Sequence, residues 1–218
     1  MSPRDPASDA SPWVPEARDP DALAEAASQC RGCELWEPAT QVVFASGPVS
    51  ARLMLVGEQP GDQEDKSGEP FVGPAGRVLA DALEEAGIGR EEVWLTNAVK
   101  HFRFQPRGKR RIHEKPDLRH LVACHPWLEA ELQLVRPRGV VLLGGTAGKA
   151  LYGSSFKVGQ TRGERLEWPD SLPVRRAPEW VLATTHPSAV LRAEQDRAAT
   201  YDGLVADLRL AAELLARR

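Results

Sequence analysis

Four short apolar runs decide what this chain can fold into: residues 52–56 (RLMLV), 93–99 (VWLTNAV), 139–144 (GVVLLG) and 180–185 (WVLATT). None alternates polar with apolar residues, so each predicts a strand buried on both faces. Between and beyond them lie stretches with helical periodicity, at 75–86, 118–135 and 196–218, and a helix start follows Gly144. Strands alternating with helices predict the α/β class: a three-layer αβα sandwich around a mostly parallel, four-stranded central sheet. Ligands of such sheets bind beyond the carboxyl ends of the strands. The residues that follow the four runs are therefore the candidates for function: 57–62, 97–101, 144–146 and 186–188.

Residues 1–20 are rich in Pro and Asp and show no periodicity, which predicts a flexible arm ahead of one domain over 21–218. Asp21 is placed to cap the first helix. No run reaches the roughly 18 apolar residues of a membrane span. The N-terminus lacks the apolar core of a secretory signal, so a cytoplasmic chain with reduced thiols is expected. A net charge of −3 and three cysteines, taken as totals, point away from nucleic acid and from a disulfide scaffold. The distribution says otherwise. Residues 100–120 (KHFRFQPRGKRRIHEKPDLRH) hold eight Lys or Arg against two acidic residues. Pro106, Gly108 and Pro116 predict a loop there, and its cations suit phosphate contact. His113 lies among them, and neighbouring positive charge favours its neutral, basic form.

Each strand-end motif has a plain reading and a chemical one. GEQPGD (57–62) is a tight turn that brings Glu58, Gln59 and Asp62 into a small space, or a simple helix cap. In PFVGPAG (70–76), Phe71 is a loop anchor or a face on which a base stacks. Asn97 in TNAVKHF closes a turn or pairs with an amide-like edge. His186 in THPS is held by the following Pro. Cys30-x-x-Cys33 has metal-ligand spacing, and Cys124 makes a third thiolate. A four-ligand site then lacks one member, with His101, His120 and His125 as candidates.

In this order the motifs resemble the uracil-DNA glycosylase superfamily over nearly all the chain beyond the arm. The resemblance is to its iron–sulfur branch, family 4. GEQPGD and the KRRIH insertion (109–113) resemble the UdgX subfamily, whose members excise uracil from DNA and stay covalently attached to the abasic site. The resemblance implies a [4Fe–4S] cluster on Cys30, Cys33, Cys124 and His101, the last standing where family members carry Cys. It implies uracil binding by Gln59, Phe71, Asn97 and His186, with His186 stabilising the leaving base. Glu58 would activate His113, the attacking group. Asp62 would orient the site or a water, with Asp65 supporting it. Arg107, Lys109, Arg110, Arg111 and Ser188 would contact phosphates. The partners implied are uracil-containing DNA and free uracil as product, for a monomer. The rival within this reading is a glycosylase of ordinary turnover that releases a free abasic site.

Overall fold

The computed structural model describes residues 9–16, 19–170, 172 and 174–217. Its strands are β1 (Ala45–Ser46), β2 (Leu53–Gly57), β3 (Val93–Asn97), β4 (Phe104–Arg107), β5 (Arg110–His113), β6 (Gly139–Leu143), β7 (Arg165–Leu166) and β8 (Trp180–Thr184). Its α-helices are α1 (Pro20–Ser28), α2 (Asp62–Ser67), α3 (Pro74–Glu85), α4 (Leu118–Val135), α5 (Gly145–Tyr152), α6 (Val158–Thr161), α7 (Pro187–Arg192) and α8 (Arg197–Ala216). The four expected strands are β2, β3, β6 and β8, buried at every position and mutually parallel in the order β3-β2-β6-β8.

The sheet has six strands rather than the four expected, because β1 and β7 add antiparallel edges outside β3 and β8. Each edge strand is two residues long and only part-buried, too short to leave a pattern in the sequence. Alternate residues of the parallel strands face opposite layers. Met54, Val56, Trp94, Val140, Leu142 and Val181 pack with α1, α4 and α5, while Leu53, Leu55, Leu95, Val141, Leu143 and Leu182 pack with α3, α7 and α8. Truncating one of these leucines to Ala costs about 2–5 kcal/mol. The order β3-β2-β6-β8 reverses between β2 and β6, which opens a crevice at their carboxyl ends.

Three expectations change. Residues 1–8, 17 and 18 of the expected arm lie outside the described residues, but the part from Asp9 to Val14 is docked. Ala10 is buried, and its N–H donates to the Ala123 carbonyl of α4 at 3.0 Å. The cap of α1 is Asp19 rather than Asp21: its carboxylate accepts from the Asp21 and Ala22 N–H groups, with Pro20 in the first turn. The basic stretch is not an irregular loop over its whole length. β4 and β5 form a hairpin in which Phe104 pairs with His113 and Arg107 with Arg110. Gly108 opens its two-residue turn at a φ of 60°, a conformation that suits Gly.

Candidate active site

The carboxyl ends of β2 and β3 are in register at Gly57 and Asn97. A Cβ on Gly57 would meet Asn97 Oδ1 at 2.3 Å and Phe71 Cζ at 2.7 Å, so only Gly lets these two side chains share one floor. Asn97 is 2% exposed. Phe71 holds a φ of 59°, a left-handed conformation that costs an aromatic residue about 1–3 kcal/mol. Strain of this kind is retained where a side chain must be aimed.

Glu64, not among the residues expected at the site, binds this floor together. Its carboxylate accepts from the Gly61 N–H at 3.1 Å and the Gly73 N–H at 2.8 Å, joining the turn after β2 to the loop that carries Phe71. A carboxylate three residues past a helix start was the signal.

Across the crevice, β8 delivers His186. Its Nδ1 accepts from the Ser188 N–H at 3.1 Å and from the Ser188 hydroxyl at 2.7 Å. In the neutral ring the proton therefore sits on Nε2. Burial, helped by the charges of Arg192 and His113, pushes the pKa of His186 down to about 4, so the ring is neutral near pH 7. Ser188, expected on a phosphate, is engaged inside the site. Its hydroxyl donates to His186 and accepts from Arg192 at 2.9 Å.

His113 comes from the end of β5. Its Nε2 is 3.4 Å from Glu58 Oε1 and 3.1 Å from Gln59 Nε2. Glu58 is steadied by Thr146, whose hydroxyl donates to its other oxygen, another contact that the sequence did not signal. The Gln59 side chain accepts from the Arg103 N–H at 3.2 Å and donates to the carbonyls of Arg103 and Glu114 at 3.1 and 3.0 Å. Its amide is thus engaged by the hairpin, and of the two routes by which Gln59 could reach a ligand, amide or backbone, the backbone is the one left free of these contacts.

The hairpin cations divide. Arg111 turns inward. It donates to Asp62 Oδ1 at 2.6 Å, to the fully buried Asp65 at 2.5 Å and to the Thr40 hydroxyl at 3.1 Å, and it lies over the rings of Phe102 and Phe104. This corrects its expected place on DNA: the two carboxylates consume its fork. Asp62 is likewise occupied, and Lys66 and Arg111 hold its carboxyl below the usual range. Lys100 is buried against Glu131, Arg103 pairs with Glu114 and Asp117, and Arg119 pairs with Glu34. Among the described residues, Arg107, Lys109, Arg110 and Lys115 have no carboxylate partner, and they form the exposed cationic rim.

The three cysteines are free and buried. Among the described residues, no three His, Cys, Asp or Glu side chains surround a single ion. A four-iron cluster spaces its thiolates more widely than one ion does, so the donor chemistry is the relevant test. The sulfur of Cys30 accepts from the Trp127 indole N–H and the Gly32 N–H, each at 3.4 Å. Cys33 receives the Leu35 N–H, Cys124 receives the Lys100 N–H, and the two share a hydrogen bond. N–H groups aimed at sulfur suit cluster thiolates. Among the histidines, His120 has both nitrogens engaged, with Asp117 N–H and with Glu34. Nε2 of His125 is buried without a partner, and the charge that acts on this ring is Glu129, one turn along its own helix. His101 is buried, makes no hydrogen bond through its ring among the described residues, and feels Arg31 of the Cys30–Cys33 loop. Its pKa falls to about 4, chiefly by burial, which keeps it in the neutral, ligating form. The donor set therefore fits.

The strand ends at this switch point, where α/β sheets take their ligands, thus bring together an aromatic, an Asn and a His. Residues 44–209 match the family model described as the uracil DNA glycosylase superfamily, and the chain belongs to that superfamily. It is 34% identical over 171 residues to the Type-4 uracil-DNA glycosylase of Thermotoga maritima, covering 78% of this chain and 82% of that one. It is 33% identical over 174 residues to the Type-4 uracil-DNA glycosylase of Sulfurisphaera tokodaii, covering 78% and 74%. A Type-5 uracil-DNA glycosylase of Pyrobaculum aerophilum is 29% identical over 136 residues, covering 56% and 57%.

Proposed function

We propose that this chain excises uracil from DNA and then remains attached to the abasic sugar through His113, as the UdgX subfamily does. The observation that carries the covalent reading is the pair of contacts at His113 Nε2. Glu58 lies 3.4 Å from this nitrogen, close enough to take a proton from it and free its lone pair, and Gln59 packs against it at 3.1 Å. A ring nitrogen with a base beside it is what an activated nucleophile requires.

Uracil, flipped from the duplex or taken from a single strand, stacks on Phe71 with its edge at Asn97 and the Gln59 backbone. The bond from C1′ to uracil N1 breaks, and its electron pair leaves with the base. The His186 Nε2–H donates to the developing anion, and a neutral donor suits an anion that is weakly basic. The sugar carries oxocarbenium character. The His113 Nε2 lone pair then forms the bond to C1′, and the imidazolium loses its remaining N–H proton to solvent. The imidazole is a poor leaving group, so turnover stops there. Arg107, Lys109 and Arg110 hold the flanking phosphates. A [4Fe–4S] cluster on Cys30, Cys33, Cys124 and His101 would supply a structural brace between the Cys30–Cys33 loop, α4 and the turn that follows Asn97.

The test is a uracil oligonucleotide incubated with the protein and run on a denaturing gel. A protein–DNA band that survives heat and detergent is the expected result. Free abasic product in excess of protein would identify an ordinary glycosylase and overturn the covalent reading.

A further inference from the structure

Beneath the floor of the crevice lies a charge that the reaction does not use. Lys100 is 1% exposed and Glu131 is 0% exposed, and they meet at 2.8 Å. The ammonium has three donors. They go to the Thr96 hydroxyl at 2.6 Å, Glu131 Oε2 at 2.8 Å and the Asn97 carbonyl at 3.0 Å, with the face of Phe44 alongside. The Thr96 hydroxyl also donates to Glu131, so the three side chains form a closed set. A buried ion pair is a poor source of stability, since an apolar pair of similar volume often does as well or better. Its presence here calls for a positional reason.

That reason lies in the peptide unit between Asn97 and Ala98. Its carbonyl is held from below by Lys100, and its N–H donates to the Gly57 carbonyl at 3.0 Å. The next N–H, of Val99, donates to the Glu58 carbonyl at 3.1 Å. Both ends of the plane that follows Asn97 are fixed, which fixes the backbone from which the Asn side chain projects. The backbone N–H of Lys100 meets the Cys124 sulfur, and Glu131 lies two turns beyond Cys124 on α4.

We infer that Lys100, locked by Glu131, is the positioning residue for Asn97, and that it ties the uracil-reading strand end to the cysteine side of the molecule. This rests on the reading of Asn97 given under the proposed function. Lys100→Met alone strands a buried carboxylate and is expected to misfold. The informative variant is the double Lys100→Met/Glu131→Leu, which removes both charges and keeps the volume.

The double variant should unfold cooperatively and keep its circular dichroism. Its single-turnover rate constant for uracil release from a uracil oligonucleotide should fall by roughly 10–100-fold, the loss that follows a small misplacement of a substrate-holding group. Inhibition by free uracil should weaken in parallel. A folded double variant with wild-type excision and wild-type inhibition overturns the proposal. So does a crystal structure of that variant in which the Asn97 peptide has not moved. Failure of the wild-type protein to release uracil would instead sink the functional reading, and the crystal structure would still judge the role of Lys100.

Discussion

The strand ends and the basic hairpin aim side chains at the same crevice, but they hold them by different means. Asn97 and His186 stand on a fully buried parallel sheet, and Phe71 packs against its end at Gly57. Their positions follow from packing, from backbone hydrogen bonds and from buried side chains behind them, Lys100 at Asn97 and Glu64 at the Phe71 loop. His113 stands on a two-stranded hairpin with exposed residues on both strands, held by side chains: Arg111 in two carboxylates and Gln59 across the hairpin base. The first region is a rigid reader. The second is an attachment that polar contacts keep in register. Under the proposed function, base recognition falls to the sheet and capture to the hairpin, so the two should fail separately.

The sharpest break is His113→Ser. It should abolish the heat-stable adduct on a denaturing gel while the sheet residues still bind free uracil. Loss of uracil binding with the adduct would merge the two regions. Phe71→Ala strikes the sheet side. Stacking worth about 1–3 kcal/mol predicts a fall of roughly 5–150-fold in the second-order rate constant of single-turnover uracil release. An intermediate effect is expected from Arg111→Lys, which removes the fork that spans Asp62 and Asp65. Leaving those acceptors poorly served should cost about 1–3 kcal/mol by denaturant unfolding, and adduct yield should fall more than uracil binding does.

Acid should act on the sheet side. With its pKa depressed to about 4, His186 stays neutral as pH falls to that value, and excision should be lost below it as Nδ1 gains a proton opposite the Ser188 donors. An unfolded His takes its proton near pH 6.5, so this group's contribution to stability is whole above that pH. It declines between about 6.5 and 4, where the unfolded chain binds more protons. A pH–rate profile and unfolding at several pH values check the two statements. The smallest effects belong to Lys109→Ala and Arg110→Ala. Each should lower the salt slope of DNA affinity by about one without changing which base is excised.

Much of this site was legible in the sequence. Apolar runs ending in polar turns located β2, β3, β6 and β8, and the turns carry Glu58, Asn97 and His186. The basic stretch was visible as charge, but not the partition of that charge. Nothing local distinguishes Arg111 from Arg110, because the difference is set by the buried Asp65 more than forty residues away. Lys100 counted as one more surface cation until α4 brought Glu131 beneath it. Ser188 had the right neighbourhood, but nothing local showed that the first turn of α7 would bring its hydroxyl onto His186.

What the sequence determined alone was the period and punctuation of the chain. Uniformly apolar runs must be buried on both faces, and Gly or Pro at their ends must turn outward, so the layers and the end of the sheet that bears the site followed. Tertiary structure decided which charges face solvent and which face each other. A charge is placed by its partner, and these partners come from elements distant in sequence. Only folding could show that half of the eight cations between residues 100 and 120 are bound to carboxylates, leaving Arg107, Lys109, Arg110 and Lys115 for a polyanion.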